Sequence, residues 1–190
     1  AIEYYKQVLD NNPTKKESAD ALAALEEIYV KDLGQPDEYF AIKSKSGYNV
    51  TDAARDSVNF QVAESQYENG NYDKAVLSYT NYISKYPKGF NTTTAYYHRG
   101  ESYFQLKDYE NAKPDLEYAL KANNSPYKEK SLGKLGYIAY NIDKNYPAAY
   151  NYFVQLEELA TADDVKFEAQ LGAMQSAYKN NDLQAVKTYA

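Results

Sequence analysis

His98 is the chain's single histidine, and Glu101 stands three residues after it. On a helix that spacing puts both side chains on one face, where they would offer two ligands to a divalent ion. A metal site takes three or four ligands, and no second ligand pair stands at a matching spacing. The adjacent acids Glu26-Glu27, Glu157-Glu158 and Asp163-Asp164 do not make a facing acid–base pair either. Neighbours on a helix point about 100° apart, so these read as solvated faces and helix-start charges. One histidine without a placed serine or aspartate is not a triad. The absence of cysteine removes thiol catalysis, disulfides and Cys-ligated metal together. The residues therefore predict a protein that is not an enzyme and uses neither a metal nor another cofactor.

What the chain has in excess is tyrosine, 23 of 190 residues, with no tryptophan. A tyrosine brings bulk together with a hydroxyl that needs a partner or water. It can therefore fill the space between helices and keep one edge wet. Tyr72, Tyr79, Tyr109 and Tyr146 are expected in the core, whereas Tyr67, Tyr97 and Phe104 stay open between packing and ligand contact. The net charge of −6 argues against a nucleic-acid partner, because a phosphate backbone is held by clustered Lys and Arg. No run reaches the roughly 18 apolar residues of a membrane span.

These side chains must be positioned by helices. Ser57 to Pro87 reads as two amphipathic helices joined at Asn69-Gly70-Asn71, with small residues at Ala63 and Ala75 that let two backbones cross closely. Pro87 stops the second helix, since its ring lacks the N–H that a helix needs. The pattern recurs: Tyr72, Tyr109, Tyr146 and Leu183 lie 37 residues apart, as do Ala75, Ala112, Ala149 and Val186, and Tyr79, Leu116, Phe153 and Ala190. That is the sequence signature of a helix-pair array.

The predicted fold class is all-α, a single array over 1–190 built of antiparallel helix pairs. Its segments are 1–13 (the second helix of a truncated pair), an irregular pair at 16–47, full pairs at 53–90, 93–126 and 128–162, and a partial pair at 164–190. With Ala1 set against Ala75, Tyr5 falls on Tyr79 and Pro13 on Pro87. The chain is thus expected to open in mid-array and to be an excerpt from something longer. Pro114 is expected within the first turns of its helix, where a missing N–H costs least. Gly133 and Gly136 predict a close helix contact without saying which of them makes it.

The run Ala63, Tyr67, Gly70, Tyr72, Ala75, Tyr79 and Pro87 resembles a tetratricopeptide repeat (TPR). Gly100, Tyr103, Asp108, Tyr109, Ala112 and Ala119 match that signature more closely still. The resemblance covers nearly the whole chain as five repeats, the first and last imperfect. Within the family, the stretch from Asn69 to Gly89 and the one from Ala95 to Ala112 are similar to bacterial cell-envelope proteins, the Tol–Pal-associated coordinator and the outer-membrane-assembly lipoprotein. That similarity implies a periplasmic or outer-membrane-associated protein, with a cytoplasmic one as the alternative.

The resemblance also implies a right-handed superhelix whose first helices line a concave groove that binds a peptide or partner protein. Carried onto this chain, the groove residues are Phe60, Glu64, Tyr67 and Glu68, then Tyr97, Glu101, Phe104 and Gln105, then Lys134, Ile138 and Asn141. The chief candidates are Phe60, Glu64, Tyr67, Glu68, Tyr97, Glu101 and Phe104. Such a groove is aromatic and acidic and suits a segment with apolar anchors and a Lys or Arg. Phe60, Glu64, Tyr97 and Glu101 would repel the C-terminal carboxylate that chaperone-binding members of the family clamp. An alternative is a glycan-binding module of an outer-membrane sugar-uptake system, with tyrosines stacking on sugar rings. An α/α-toroid hydrolase would need two opposed carboxylates and helix pairs closing into a ring, whereas a 37-residue repeat with Ala and Gly at its crossings favours an open superhelix.

Overall fold

Each passage from the first helix of a pair to the second turns on one residue in the left-handed region. These are Gly34 (φ 63°), Gly70 (72°), Lys107 (61°), Lys144 (54°) and Asn181 (58°). The last four lie 37 residues apart, and Gly34 precedes Gly70 by 36. A left-handed residue lets the chain close its helix by a pair of reversed hydrogen bonds. At Lys107, its own N–H reaches Phe104 O at 3.0 Å and the next N–H reaches Tyr103 O at 2.9 Å. The same pair of bonds recurs at Gly70 (to Tyr67 O and Gln66 O) and at Asn181 (to Tyr178 O and Ala177 O). After the last three turns the following residue caps the second helix: Asp108, Asn145 and Asp182 each accept the N–H three residues on, whereas Gln35 and Asn71 make no side-chain cap. Turn and cap together make the period a property of the backbone.

The computed structural model describes residues 1–189, so Ala190, the last member of the Tyr79 series, lies outside the described residues. Among these residues there are eleven α-helices and no strand, as an all-α array requires. They fall into two compact units, residues 1–95 and the described residues from 96 on. The first holds α1 (Ile2–Asp10), α2 (Lys15–Glu26), α3 (Pro36–Lys45), α4 (Asp52–Glu68) and α5 (Tyr72–Lys85). The second holds most of α6 (Thr92–Gln105), then α7 (Tyr109–Lys121), α8 (Lys128–Tyr137), α9 (Tyr146–Leu159), α10 (Asp163–Lys179) and α11 (Leu183–Thr188).

Two of the first helices end in a wider coil than the sequence pattern suggests. Glu27–Asp32 continues α2 and Ile138–Ile142 continues α8 as π-helical turns. There Leu33 N–H bonds to Ile28 O at 2.9 Å and Asp143 N–H to Ile138 O at 3.0 Å, five residues back in each case. Such turns interrupt the α ladder in short stretches and often lie at functional positions.

In the first unit, pairing runs antiparallel. Along α4 the contacts go from Tyr67 on Tyr72, through Glu64 on Tyr79 and Phe60 on Tyr82, to Asp56 on Tyr82. Ala63, Ala75 and Tyr79 are fully buried at this crossing. Leu22, Leu25, Tyr29, Val30, Tyr39, Phe40 and Val62 form the core cluster beside it. Asp56 is buried too, accepting Tyr82 Oη at 2.5 Å and the Phe90 N–H at 3.2 Å.

In the second unit the close contact sought between Gly133 and Gly136 belongs to Gly136. A Cβ there would stand 2.8 Å from the Phe153 ring, whereas one on Gly133 would meet nothing nearer than 3.8 Å. Gly172 on α10 meets the same ring at 2.8 Å, so Phe153 of α9 sits against glycines of both neighbouring helices. The expectation for Pro114 needs correcting: it is the sixth residue of α7, beyond the four N–H groups that lack an intrahelical acceptor, so its ring removes one ladder bond.

Candidate partner-binding cleft

Phe60, Glu64 and Glu68 recur every fourth residue and so share one face of α4. That face borders a cleft of about 680 Å³ in the first unit, whose other wall is the end of α2 and its π-helical turn. Ala23, Glu26, Glu27, Val30 and Lys31 line that second wall. The half-buried Phe60 ring rests on Tyr82 at 5.4 Å and Tyr79 at 6.3 Å. The lining carries four glutamates against one lysine, and that lysine lies 3.8 Å from Glu27. The cleft is therefore apolar at Phe60 and Val30 and negative around them.

Two of the glutamates are held from behind. Tyr39 on α3 donates its hydroxyl to Glu26 Oε2 at 2.8 Å, and Tyr79 on α5 donates to Glu64 Oε1. Both tyrosines are almost wholly buried. Burial first, then the hydrogen bond to the carboxylate, pushes each hydroxyl above the ordinary tyrosine range, so both stay protonated donors. The carboxylates are thus fixed by second helices that do not themselves line the cleft.

Tyr67 packs edge-on against Tyr72 and Tyr79, at 6.1 and 6.5 Å, and does not line the cleft. In the second unit, Glu101 pairs with Lys134 at 3.2 Å, and Lys134 Nζ stands 5.5 Å over the Phe104 ring. Phe104 also packs edge-on with Tyr109 and Tyr137. Gln105 and Asn141 are exposed. Two candidates must be withdrawn from any groove. Tyr97 is 2 % exposed and stacked flat on Tyr127 at 4.2 Å, and Ile138 is fully buried in the same cluster. Both are core. His98 lies beside the Tyr97 and Tyr127 rings, and among the described residues no group of three or more His, Cys, Asp or Glu is placed to hold a metal. No helix among those residues is long and apolar enough to cross a membrane.

Residues 58–89 match one tetratricopeptide repeat family model, and residues 93–126 match a second. The chain carries tetratricopeptide repeats. No curated protein matches it. Repeats of this family are protein–protein interaction scaffolds, so the surfaces to weigh are those that a protein partner would touch. The TPR formed by α4 and α5 contributes Phe60, Glu64 and Glu68 to the cleft, all three among the sequence candidates.

What the sequence candidates omit is the opposite wall. Glu26 and Glu27 both line the cleft on one helical face with Ala23, Val30 and Lys31, and Glu27 is exposed there as the sequence reading has it. In the TPR of α6 and α7 they also omit the ion pair of Arg99 with Asp115. It is bidentate, Nε to Oδ2 at 2.7 Å and Nη2 to Oδ1 at 2.8 Å, and the aspartate side chain is only 5 % exposed. An arginine and an aspartate 16 residues apart, on either side of a Schellman turn, would have been the signal.

Proposed function

We propose that the protein is a recruiting scaffold that seats an extended segment or helix of a partner protein in the cleft between α2 and α4. The observation that carries this reading is the junction of Phe60 with Glu64 and Glu68 on one wall and Val30 with Glu26 on the other, around an open volume of about 680 Å³. A half-buried aromatic ring in a rim of charged groups is the form that a binding anchor takes in protein interfaces. The test is site-specific crosslinking. A photo-reactive residue at Gln61, an exposed residue of the cleft lining, should capture a partner protein, whereas one at Leu77, 71 % exposed on α5, should not. Capture from Leu77 alone would overturn the assignment.

We place the work of this scaffold in the bacterial envelope, in its assembly or maintenance. The support is the resemblance read from the residue pattern of the stretches Asn69 to Gly89 and Ala95 to Ala112. Cell fractionation of the native protein checks this. Recovery with the periplasm or outer membrane is expected, and recovery in the cytosol alone would reject it.

A further inference from the structure

We infer that the cleft selects a partner segment presenting a lysine or arginine next to a large apolar side chain, with the cation seated between Glu26 and Glu64. This rests on the reading of the cleft as the partner's seat and specifies the chemistry of what enters it. Charge is the first argument: a segment entering between α2 and α4 meets Glu26, Glu64 and Glu68, while Lys31 already lies beside Glu27. A partner's carboxylate there would face like charge, which disfavours wrong partners more strongly than it strengthens right ones.

The second argument is how the carboxylates are held. Tyr39 and Tyr79 approach the cleft's two walls from two different helices, α3 and α5, and each fixes one glutamate through the hydroxyl of a ring buried in the core; the Tyr39 hydroxyl also accepts from Lys43 Nζ at 3.2 Å. Carboxylates held in this way do not have to be ordered when a cation arrives, so more of the interaction appears as affinity. The third is the apolar surface between them. The half-buried Phe60 ring lines the same volume, with the edge of the buried Val30 behind it, and the methylene stem of a lysine or arginine lies well on such a ring while its head reaches the carboxylates.

The test is selection of random peptides displayed on phage against three proteins: the natural chain, Glu26→Gln/Glu64→Gln, and a control of equal charge change, Asp73→Asn/Glu110→Gln, at exposed acids outside the cleft. Glutamine can still accept the two tyrosine hydroxyls, so the first variant should keep its fold, checked by circular dichroism. The natural chain and the control should enrich peptides with a basic residue beside a large apolar one. The cleft variant should lose the basic preference, and a selected peptide should bind it at least ~10-fold more weakly, as expected for losing a charge-assisted hydrogen bond. Equal basic enrichment on all three proteins, or equal loss from both variants, would mean diffuse charge attraction and overturn the inference. Enrichment of purely apolar peptides that crosslink at Gln61 would overturn it while leaving the cleft reading standing. No enriched sequence from any of the three would reject both.

Discussion

Arg99 grips the Asp115 carboxylate with two parallel hydrogen bonds across α6 and α7, with the Tyr96 ring 5.4 Å from the guanidinium. The Asp115 side chain is 5 % exposed and that of Arg99 16 %. Arg99→Met should destabilise the protein by roughly 3–5 kcal/mol, because it leaves the buried aspartate without its arginine, and Asp115→Asn should cost less. Replacing both together, Arg99→Met/Asp115→Leu, should cost much less than the two single changes combined. Urea denaturation of the three variants measures the difference.

Phe153 gives a second test. Gly136→Ala should destabilise by about 1–3 kcal/mol, since the new methyl must displace a ring 2.8 Å away. Gly133→Ala, one turn earlier and at ordinary contact distance, should instead stabilise by up to about 1 kcal/mol through helix propensity. A Phe153→Leu background should erase part of the Gly136→Ala penalty in a double-mutant cycle. An equal effect of the two alanines would refute the assignment of the contact.

Alkali should unfold the protein through its tyrosines. Tyr39, Tyr79 and Tyr82 are raised above their ordinary value, in each case by burial first and then by a carboxylate that accepts the hydroxyl. The folded state keeps these protons at a pH where the unfolded chain loses them. Their contribution to stability is therefore complete below the ordinary tyrosine pKa of about 10 and declines above it. Tyrosinate absorbance and far-ultraviolet circular dichroism, followed together, should change in one cooperative step. Tyr79→Phe should move that step to higher pH.

The aromatic residues should divide by role. Phe60→Ala should weaken partner capture, and because the ring also rests on Tyr79 and Tyr82, circular dichroism should show the variant still folded. Tyr97→Ala should unfold rather than unbind, costing about 3–5 kcal/mol as a large buried ring is lost. Partner binding should also fall as salt rises, because Glu26, Glu64 and Glu68 act through charge. A salt-insensitive interaction would favour a neutral ligand such as a glycan. Isothermal titration with the captured partner distinguishes these cases.

Lys107 and Lys144 hold the left-handed position that Gly34 and Gly70 hold elsewhere. Lys107→Gly should raise stability by about 0.5–1 kcal/mol, because a side chain at positive φ costs roughly 1–2 kcal/mol and glycine returns part of that gain in the unfolded chain. Thermal melting measures it.

The period was legible in the sequence because it rests on small residues with no alternative role. Ala75, Ala112 and Ala149 are all fully buried, and each marks a crossing where nothing larger fits. Tyr97 and Phe104 were not separable in advance. Both sit on α6 at positions that could face a groove, and only the flat stack of Tyr127 on Tyr97 decides that the former is core. The far wall of the cleft was missed for another reason. Ala23, Glu26, Glu27, Val30 and Lys31 keep the i, i+3, i+4, i+7, i+8 spacing of one helical face, so periodicity offered them. The adjacent acids drew attention as a solvated pair, and nothing in the residue types says that this face lies across from α4.

Phe153 also has a mechanical consequence. Its ring rests on Gly136 of α8 and Gly172 of α10, so one side chain of α9 couples the helix before it to the helix after it. Helices joined in this way share a load. Stretched from the far end of α10, α8 to α10 should yield in one rip, whereas a Phe153→Ala chain should come apart one helix at a time under smaller forces.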